Sequence, residues 1–237
     1  MTTPNFRISI YADGADVREM VAARDGGIVK GFTTNPTLMR KVGITDYAAF
    51  AKEALASTGD MPISFEVFAD EAGEMRRQAE RIATWADNVY VKIPVSNTNG
   101  DSMAALAGAL SGAGIKVNIT ALFTPRQVTE ITQSVAEGAP SFLSVFAGRI
   151  ADAGVDPVPL MQEALEIMGA APRAELIWAS PRELLNLVQA DAIGCHIITM
   201  THDLLAKLPT LGKDLEAFSL ETVRMFHRDA TQAGFEL

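Results

Sequence analysis

Short runs of β-branched and apolar residues alternate along the chain with longer segments whose apolar positions recur every three or four residues. Runs of the first kind predict strands, and segments of the second predict amphipathic helices. Strand-like runs cover residues 8–11, 29–33, 62–68, 88–93, 116–120, 141–146, 175–178 and 194–200. Helical patterns fall between them at 16–23, 45–55, 71–85, 101–110, from 125 onward, 158–168 and 181–189; further helices at 203–208 and 216–231 close the chain. Met75, Ala79 and Ile82 stand at i, i+4 and i+7, one face of a helix. Pro125 suits a first helical turn, where its missing N–H costs little, and Gly112 with Gly114 stops the preceding helix. Asn35-Pro36, taken alone, could be only a turn. Eight strands, each followed by a helix, predict an α/β fold: a single (β/α)8 TIM barrel over residues 1–237, with 216–231 as a C-terminal helical extension. A doubly wound sheet fits less well, because no Gly-x-Gly-x-x-Gly follows the first strand.

Composition adds exclusions. A net charge of −9 argues against a nucleic-acid surface and against an anionic membrane surface, while leaving room for an anionic small molecule in a local pocket. The single cysteine, Cys195, rules out an intrachain disulfide and fits a reducing, cytoplasmic compartment. Residues 1–7 lack an apolar signal core, and no apolar run reaches membrane-spanning length. The Asn118-Ile-Thr120 sequon is read as a chance match. His196, His202 and His227 form no ligand spacing with one another or with Cys195, so no metal is expected, and no organic cofactor either. Cys195 and His196 read as core residues of the eighth strand.

The chemistry begins at Lys92, the one charge in the apolar run Asn88-Val-Tyr-Val-Lys-Ile-Pro-Val95. An ammonium out of water is poorly solvated, and its neutral amine attacks carbonyls, so Lys92 is a candidate Schiff-base nucleophile. The other reading is a side chain that snorkels out past the strand end. Barrel active sites sit at the C-terminal ends of strands, and those positions here supply Asp13, then Thr33, Thr34 and Asn35, then Glu66, Lys92, Asn118 and Thr120, Ser144 and Arg149, and Ser180 and Arg182. Each has a plain structural reading: Asp13 as a helix cap in competition with Asp16, Glu66 as the ion-pair partner of Lys92, the arginines as solvated loop residues. Polar groups delivered to one rim by successive strands point instead to a site. Glu66 and Thr120 suit holding a water for imine chemistry, Asp13 suits moving a proton, and two guanidinium groups with a serine suit a phosphate. Together they predict a Schiff-base aldolase or transferase acting on a phosphorylated sugar.

The chain resembles the transaldolase family, including fructose-6-phosphate aldolase, from about residue 8 to 203. The resemblance lies in Tyr11-Ala-Asp-Gly-Ala-Asp16, Gly31-Phe-Thr-Thr-Asn-Pro36, Val91-Lys-Ile-Pro-Val95, Ser144-Val-Phe-Ala-Gly-Arg-Ile150 and Ala179-Ser-Pro-Arg182. It implies Lys92 as the Schiff-base lysine, Asp13 as the acid/base for carbon–carbon cleavage, and Glu66 with Thr120 around the catalytic water. It further implies substrate contacts from Asn35, its neighbour Thr34, Ser144 and Phe146, and phosphate contacts from Arg149, Ser180 and Arg182. Glu66, Ser144 and Phe146 are similar to the transaldolases, whereas fructose-6-phosphate aldolases tend to have glutamine, alanine and tyrosine there. The resemblance therefore implies transfer of dihydroxyacetone between sugar phosphates, from sedoheptulose 7-phosphate to glyceraldehyde 3-phosphate, giving erythrose 4-phosphate and fructose 6-phosphate. It also implies a homo-oligomer, a pentamer or decamer, with the apolar tail residues Phe218, Val223, Met225 and Phe226 packing on a neighbour or on their own barrel. Two positions depart from the family: Gly14 stands where a hydroxyl residue is usual, and Pro181 stands where phenylalanine is usual. The alternatives are a dihydroxyacetone-releasing aldolase and a non-catalytic barrel that binds sugar phosphates.

Overall fold

The computed structural model describes residues 6–234; residues 1–5 of the polar start lie outside the described residues. Eight parallel strands close into one barrel in chain order: β1 (Ser9–Asp13), β2 (Val29–Thr33), β3 (Ile63–Glu66), β4 (Val89–Pro94), β5 (Val117–Leu122), β6 (Ser141–Val145), β7 (Ala174–Trp178) and β8 (Ile197–Thr201). β1 pairs with both β2 and β8, which completes the ring of a (β/α)8 TIM barrel. The helices are α1 (Val17–Asp25), α2 (Pro36–Lys41), α3 (Tyr47–Thr58), α4 (Ala72–Ala83), α5 (Ala104–Gly112), α6 (Pro125–Val135), α7 (Ala147–Asp152), α8 (Pro157–Met168), α9 (Leu185–Ala192), α10 (His202–Leu205) and α11 (Leu215–Ala233). Among the described residues no helix is long and apolar enough to cross a membrane.

Period-two alternation sorts the strand residues. Outward positions such as Ile10, Val91, Ile93, Ile119, Leu143 and Trp178 belong to the continuous core beneath the helices. Inward positions form two layers. The lower is apolar, with Tyr11, Tyr90, Phe142, Ile177 and Ile197 in one cluster. Tyr90 and Phe142 stack with centroids 3.8 Å apart and planes 9° apart, and Tyr11 meets Phe142 edge-on at 5.9 Å. Gly31 admits the Tyr11 ring, because a Cβ at 31 would lie 2.5 Å from it. Burying side chains of this size contributes roughly 1.5–3 kcal/mol each. Two residues further along the same strands come Asp13, Thr33, Lys92, Ser144 and Thr199, so the polar layer lies directly above the aromatic floor.

Several expectations are corrected. Asn35-Pro36 is more than a turn and opens a helix the sequence did not suggest, α2: the Asn35 side chain caps it by accepting the N–H of Leu38 at 3.0 Å, and Pro36 fills its first turn. Helix α7 follows β6 directly, where no helix is predicted. α9 starts at Leu185 rather than 181, because the buried Asn186 accepts the N–H groups of Arg182 (2.7 Å) and Glu183 (3.2 Å) and holds that stretch as a loop. β8 starts at Ile197 rather than 194, since Gly194, with φ +77°, ends the preceding turn. Cys195 is buried, its thiol pushed up to about 12 by desolvation, but it precedes the strand. His196 is exposed, not core, and its Nδ1 accepts the N–H of Leu176 at 3.0 Å. The cap of α1 is Asp16, which accepts from the N–H groups of Arg18 and Glu19, so Asp13 is not spent on capping. The closing helix is longer than expected, at Leu215–Ala233, and none of its residues is buried. Leu215 (79% exposed), Val223 and Phe226 present an apolar face to solvent.

Candidate active site

A cavity of about 450 Å³ opens at the C-terminal mouth of the strands. Of the residues expected to form a site, Asp13, Asn35, Glu66, Lys92, Thr120, Ser144, Phe146, Arg149, Ser180 and Arg182 all line it. Thr34 does not. Its side chain is fully buried and donates to the Ser64 carbonyl at 2.8 Å, while its own carbonyl accepts from Lys92 Nζ at 3.0 Å. A larger hollow, about 720 Å³, lies between α3 and α4 beside Tyr47, Phe68 and Trp85, away from this polar rim.

Lys92 is 6% exposed and does not snorkel out. Register explains the pairing: Glu66 and Lys92 face each other across β3 and β4, and Nζ stands 3.2 Å from Glu66 Oε2. The ion-pair reading of Glu66 thus describes the resting geometry. Such a buried pair is weak as a source of stability, because desolvation offsets most of the attraction. It does put a carboxylate within reach of the proton that the amine must lose before attacking a carbonyl. The Tyr47 hydroxyl donates to the Glu66 carbonyl at 2.8 Å and fixes the end of β3. Thr120, on the far side of Lys92, has a buried hydroxyl with no partner among the described residues. Strand β5 bulges after Ile119, and Ala121, at φ +61°, turns into the cavity. Below, Ser144 donates to Asn118 Oδ1 at 2.7 Å and Asn118 donates to Ser64 Oγ at 2.9 Å, which ties β6, β5 and β3 together.

Asp13, on β1, lines the cavity two strands from Glu66. Desolvation raises its proton affinity above that of an ordinary carboxyl; Lys92, the Thr33 hydrogen bond, His202 and Asn35 oppose that rise. His202 also accounts for Gly14. A Cβ at Gly14 would lie 2.7 Å from His202 Nε2, so the missing side chain leaves room for an imidazole whose Nε2 stands 3.5 Å from Glu19.

The two arginines stand at the outer lip. Arg149 lies over the Phe146 ring, 5.4 Å from its centroid. Arg182 is not simply solvated: Nε lies 3.0 Å and 3.1 Å from the two carboxylate oxygens of Asp152, and Nη2 lies 2.5 Å from Oδ2. That contact holds the Asp152 carboxyl below its usual range. Ser180 sits between them at φ +60°, an uncommon conformation for serine. Gly148 makes this possible, since a Cβ there would lie 1.5 Å from the Ser180 carbonyl oxygen. Sequence reasoning missed several cavity groups: Thr199 and Thr201, which the alternation Ile197, Thr199, Thr201 could have revealed, Thr37 and Leu38 in the first turn of α2, and Ala121, which no sequence signal marks.

Fold and site together define a (β/α)8-barrel protein with a lysine–carboxylate centre at the strand mouth. The family model described as "Transaldolase/Fructose-6-phosphate aldolase" matches residues 10–237, and the chain belongs to that family of aldolase enzymes. It is 34% identical over 200 residues to a "Probable transaldolase" of Dehalococcoides mccartyi, covering 84% of this chain and 89% of that one. It is 36% identical over 202 residues to a "Probable transaldolase" of Streptococcus equi subsp. equi, covering 85% and 90%. A solved 2,3-dimethylmalate lyase, 13% identical, superposes with a TM-score of 0.55 over 98% of this chain and 84% of that one, a likeness of fold alone.

Proposed function

We propose that this protein is a transaldolase, moving a dihydroxyacetone unit from a ketose phosphate to an aldose phosphate through an imine on Lys92. The observation that carries the reading is the placement of two carboxylates around one buried amine: Glu66 at 3.2 Å from Nζ, and Asp13 on β1, two strands from Glu66, lining the same cavity. Lys92 Nζ attacks the C2 carbonyl of the donor, and the carbinolamine loses water to give an iminium. Glu66 and Thr120 handle the protons and the water of this step. Asp13 takes the proton of the C4 hydroxyl; the C3–C4 bond breaks, its electron pair forms the enamine, and the first aldose phosphate leaves. The enamine then attacks the aldehyde of the acceptor, Asp13 returns the proton to the new hydroxyl, and hydrolysis frees Lys92. Arg149, Ser180 and Arg182 anchor the phosphate, while Asn35 and Ser144 face the dihydroxyacetone part. No metal or organic cofactor takes part in this scheme.

Transfer is favoured over simple cleavage by Phe146. It lines the cavity without a hydroxyl to help protonate the enamine or to help water attack the iminium that results, so the bound three-carbon unit waits for an acceptor. Fructose 6-phosphate should therefore yield little free dihydroxyacetone alone, and should yield sedoheptulose 7-phosphate once erythrose 4-phosphate is added. Rapid release of dihydroxyacetone without acceptor would assign the chain to the aldolases, and no conversion in either assay would leave a binding protein.

The exposed apolar face of α11 supports assembly of copies of this chain, as a pentamer or decamer on the strength of the resemblance. Light scattering on the purified protein should give a mass several times 25.3 kDa; the mass of one chain would remove this part of the reading.

A further inference from the structure

The Asp13 carboxylate is backed by two threonines that the scheme above does not use. Thr33, its register partner on β2, places its hydroxyl oxygen 2.7 Å from Asp13 Oδ1. Thr199, on β8 at the other flank of β1, places its hydroxyl oxygen 2.5 Å from that of Thr33. The two side chains are 2% and 5% exposed, and both line the cavity.

Counting hydrogens decides the direction of this chain. A threonine hydroxyl has one proton to give. An ionised Asp13 can only accept, so Thr33 gives its proton to Asp13. Thr33 then has none left for Thr199, and Thr199 must donate to Thr33. Once Asp13 has taken the substrate's proton, the order can reverse: Asp13 donates to Thr33, and Thr33 donates to Thr199. Linked hydrogen bonds of this kind strengthen one another in a low-dielectric site.

We propose that Thr199 is a positioning residue for the proton that Asp13 carries: it donates to Thr33 while Asp13 is ionised and accepts from Thr33 when Asp13 is protonated. The inference rests on reading Asp13 as the group that moves the proton in carbon–carbon cleavage. The other groups acting on Asp13 are Lys92 from β4, with Glu66 of β3 beside it, Asn35 at the start of α2, and His202 at the start of α10 with Glu19 of α1 beyond it.

The test compares Thr199→Val with Thr199→Ser in the transfer of dihydroxyacetone from fructose 6-phosphate to erythrose 4-phosphate, across a range of pH. Valine keeps the shape and removes the donor; serine keeps the donor. Without Thr199, the bond from Thr33 to the carboxylate weakens and the anion is less favoured. Asp13 then holds its proton to higher pH, and the acidic limb of kcat/KM moves upward, by about half a unit to one unit, with kcat down about tenfold. The KM for fructose 6-phosphate should stay within about twofold, and Thr199→Ser should keep the original limb. An unmoved limb in Thr199→Val, or an equal shift in Thr199→Ser, overturns the proposal. If Thr199→Val does not fold, Thr199→Ala removes the same hydroxyl and is judged by the same limb. Borohydride trapping on Lys92 separates two failures. An adduct in the unsubstituted protein and in Thr199→Val, with no limb shift, defeats this inference alone. No adduct in the unsubstituted protein defeats the imine reading, and the inference falls with it.

Discussion

Lys92→Met should stay folded and lose turnover, with kcat falling on the order of 10⁴-fold or more, and borohydride with fructose 6-phosphate should add no mass to the protein. Methionine replaces most of the lysine stem, so the apolar walls around β4 keep their contacts. What disappears is the nucleophile, and among the described residues no other lysine lines the cavity. The substitution also strands Glu66. Its side chain keeps 17% exposure, so the loss of stability should stay below the roughly 3–5 kcal/mol seen when a fully buried partner is left unpaired. Lys92→Met combined with Glu66→Gln should recover stability and leave turnover absent. That pair of results separates the structural role of the ion pair from its chemical one. An adduct trapped on the Lys92→Met protein, or turnover near the original, would sink the imine mechanism.

Gly148→Ala should damage the phosphate anchor without replacing a charged residue. Its Cβ would lie 1.5 Å from the Ser180 carbonyl oxygen and 2.6 Å from the carbon of that carbonyl. Both neighbours are backbone, so the loop from Ala179 to Arg182 must move rather than rotate a side chain. Overpacking of this kind costs about 1–3 kcal/mol of stability. Arg182→Gln provides the benchmark. Losing a charge-assisted hydrogen bond of about 1.5–3 kcal/mol raises KM for fructose 6-phosphate roughly 10- to 100-fold. Gly148→Ala should approach that rise, while neither variant changes the concentration dependence for unphosphorylated dihydroxyacetone as donor. Equal penalties with and without the phosphate would remove Arg149, Ser180 and Arg182 from the anchor.

The strands were legible because both of their faces are committed. Ile93 and Ile119 point outward into the core, so the runs are dense in β-branched residues, and Lys92 stands out as the exception. The rim residues were legible for the same reason, since strand order carries them to one end. The short helices were not. α2 and α7 have six residues each, too few to form without the tertiary contacts that hold them, and six residues carry almost no periodicity. The pairing of Arg182 with Asp152 and the fit of His202 over Gly14 were equally hidden. Both join residues from different βα units, and neither leaves a pattern in local spacing. Gly14 showed in the sequence only as a lost hydroxyl, whereas the structure shows an imidazole in its place.

The packed rings of Tyr11, Phe142 and Tyr90 floor the barrel and leave the cavity opening at the strand mouth. In the proposed transfer, the donor, its departing aldose phosphate and the incoming acceptor would all pass through one doorway. The guanidinium groups proposed to hold the outgoing phosphate would also receive the next one. On that reading the acceptor is not seated until the first aldose has gone, and the three-carbon fragment stays behind on Lys92 between the two visits.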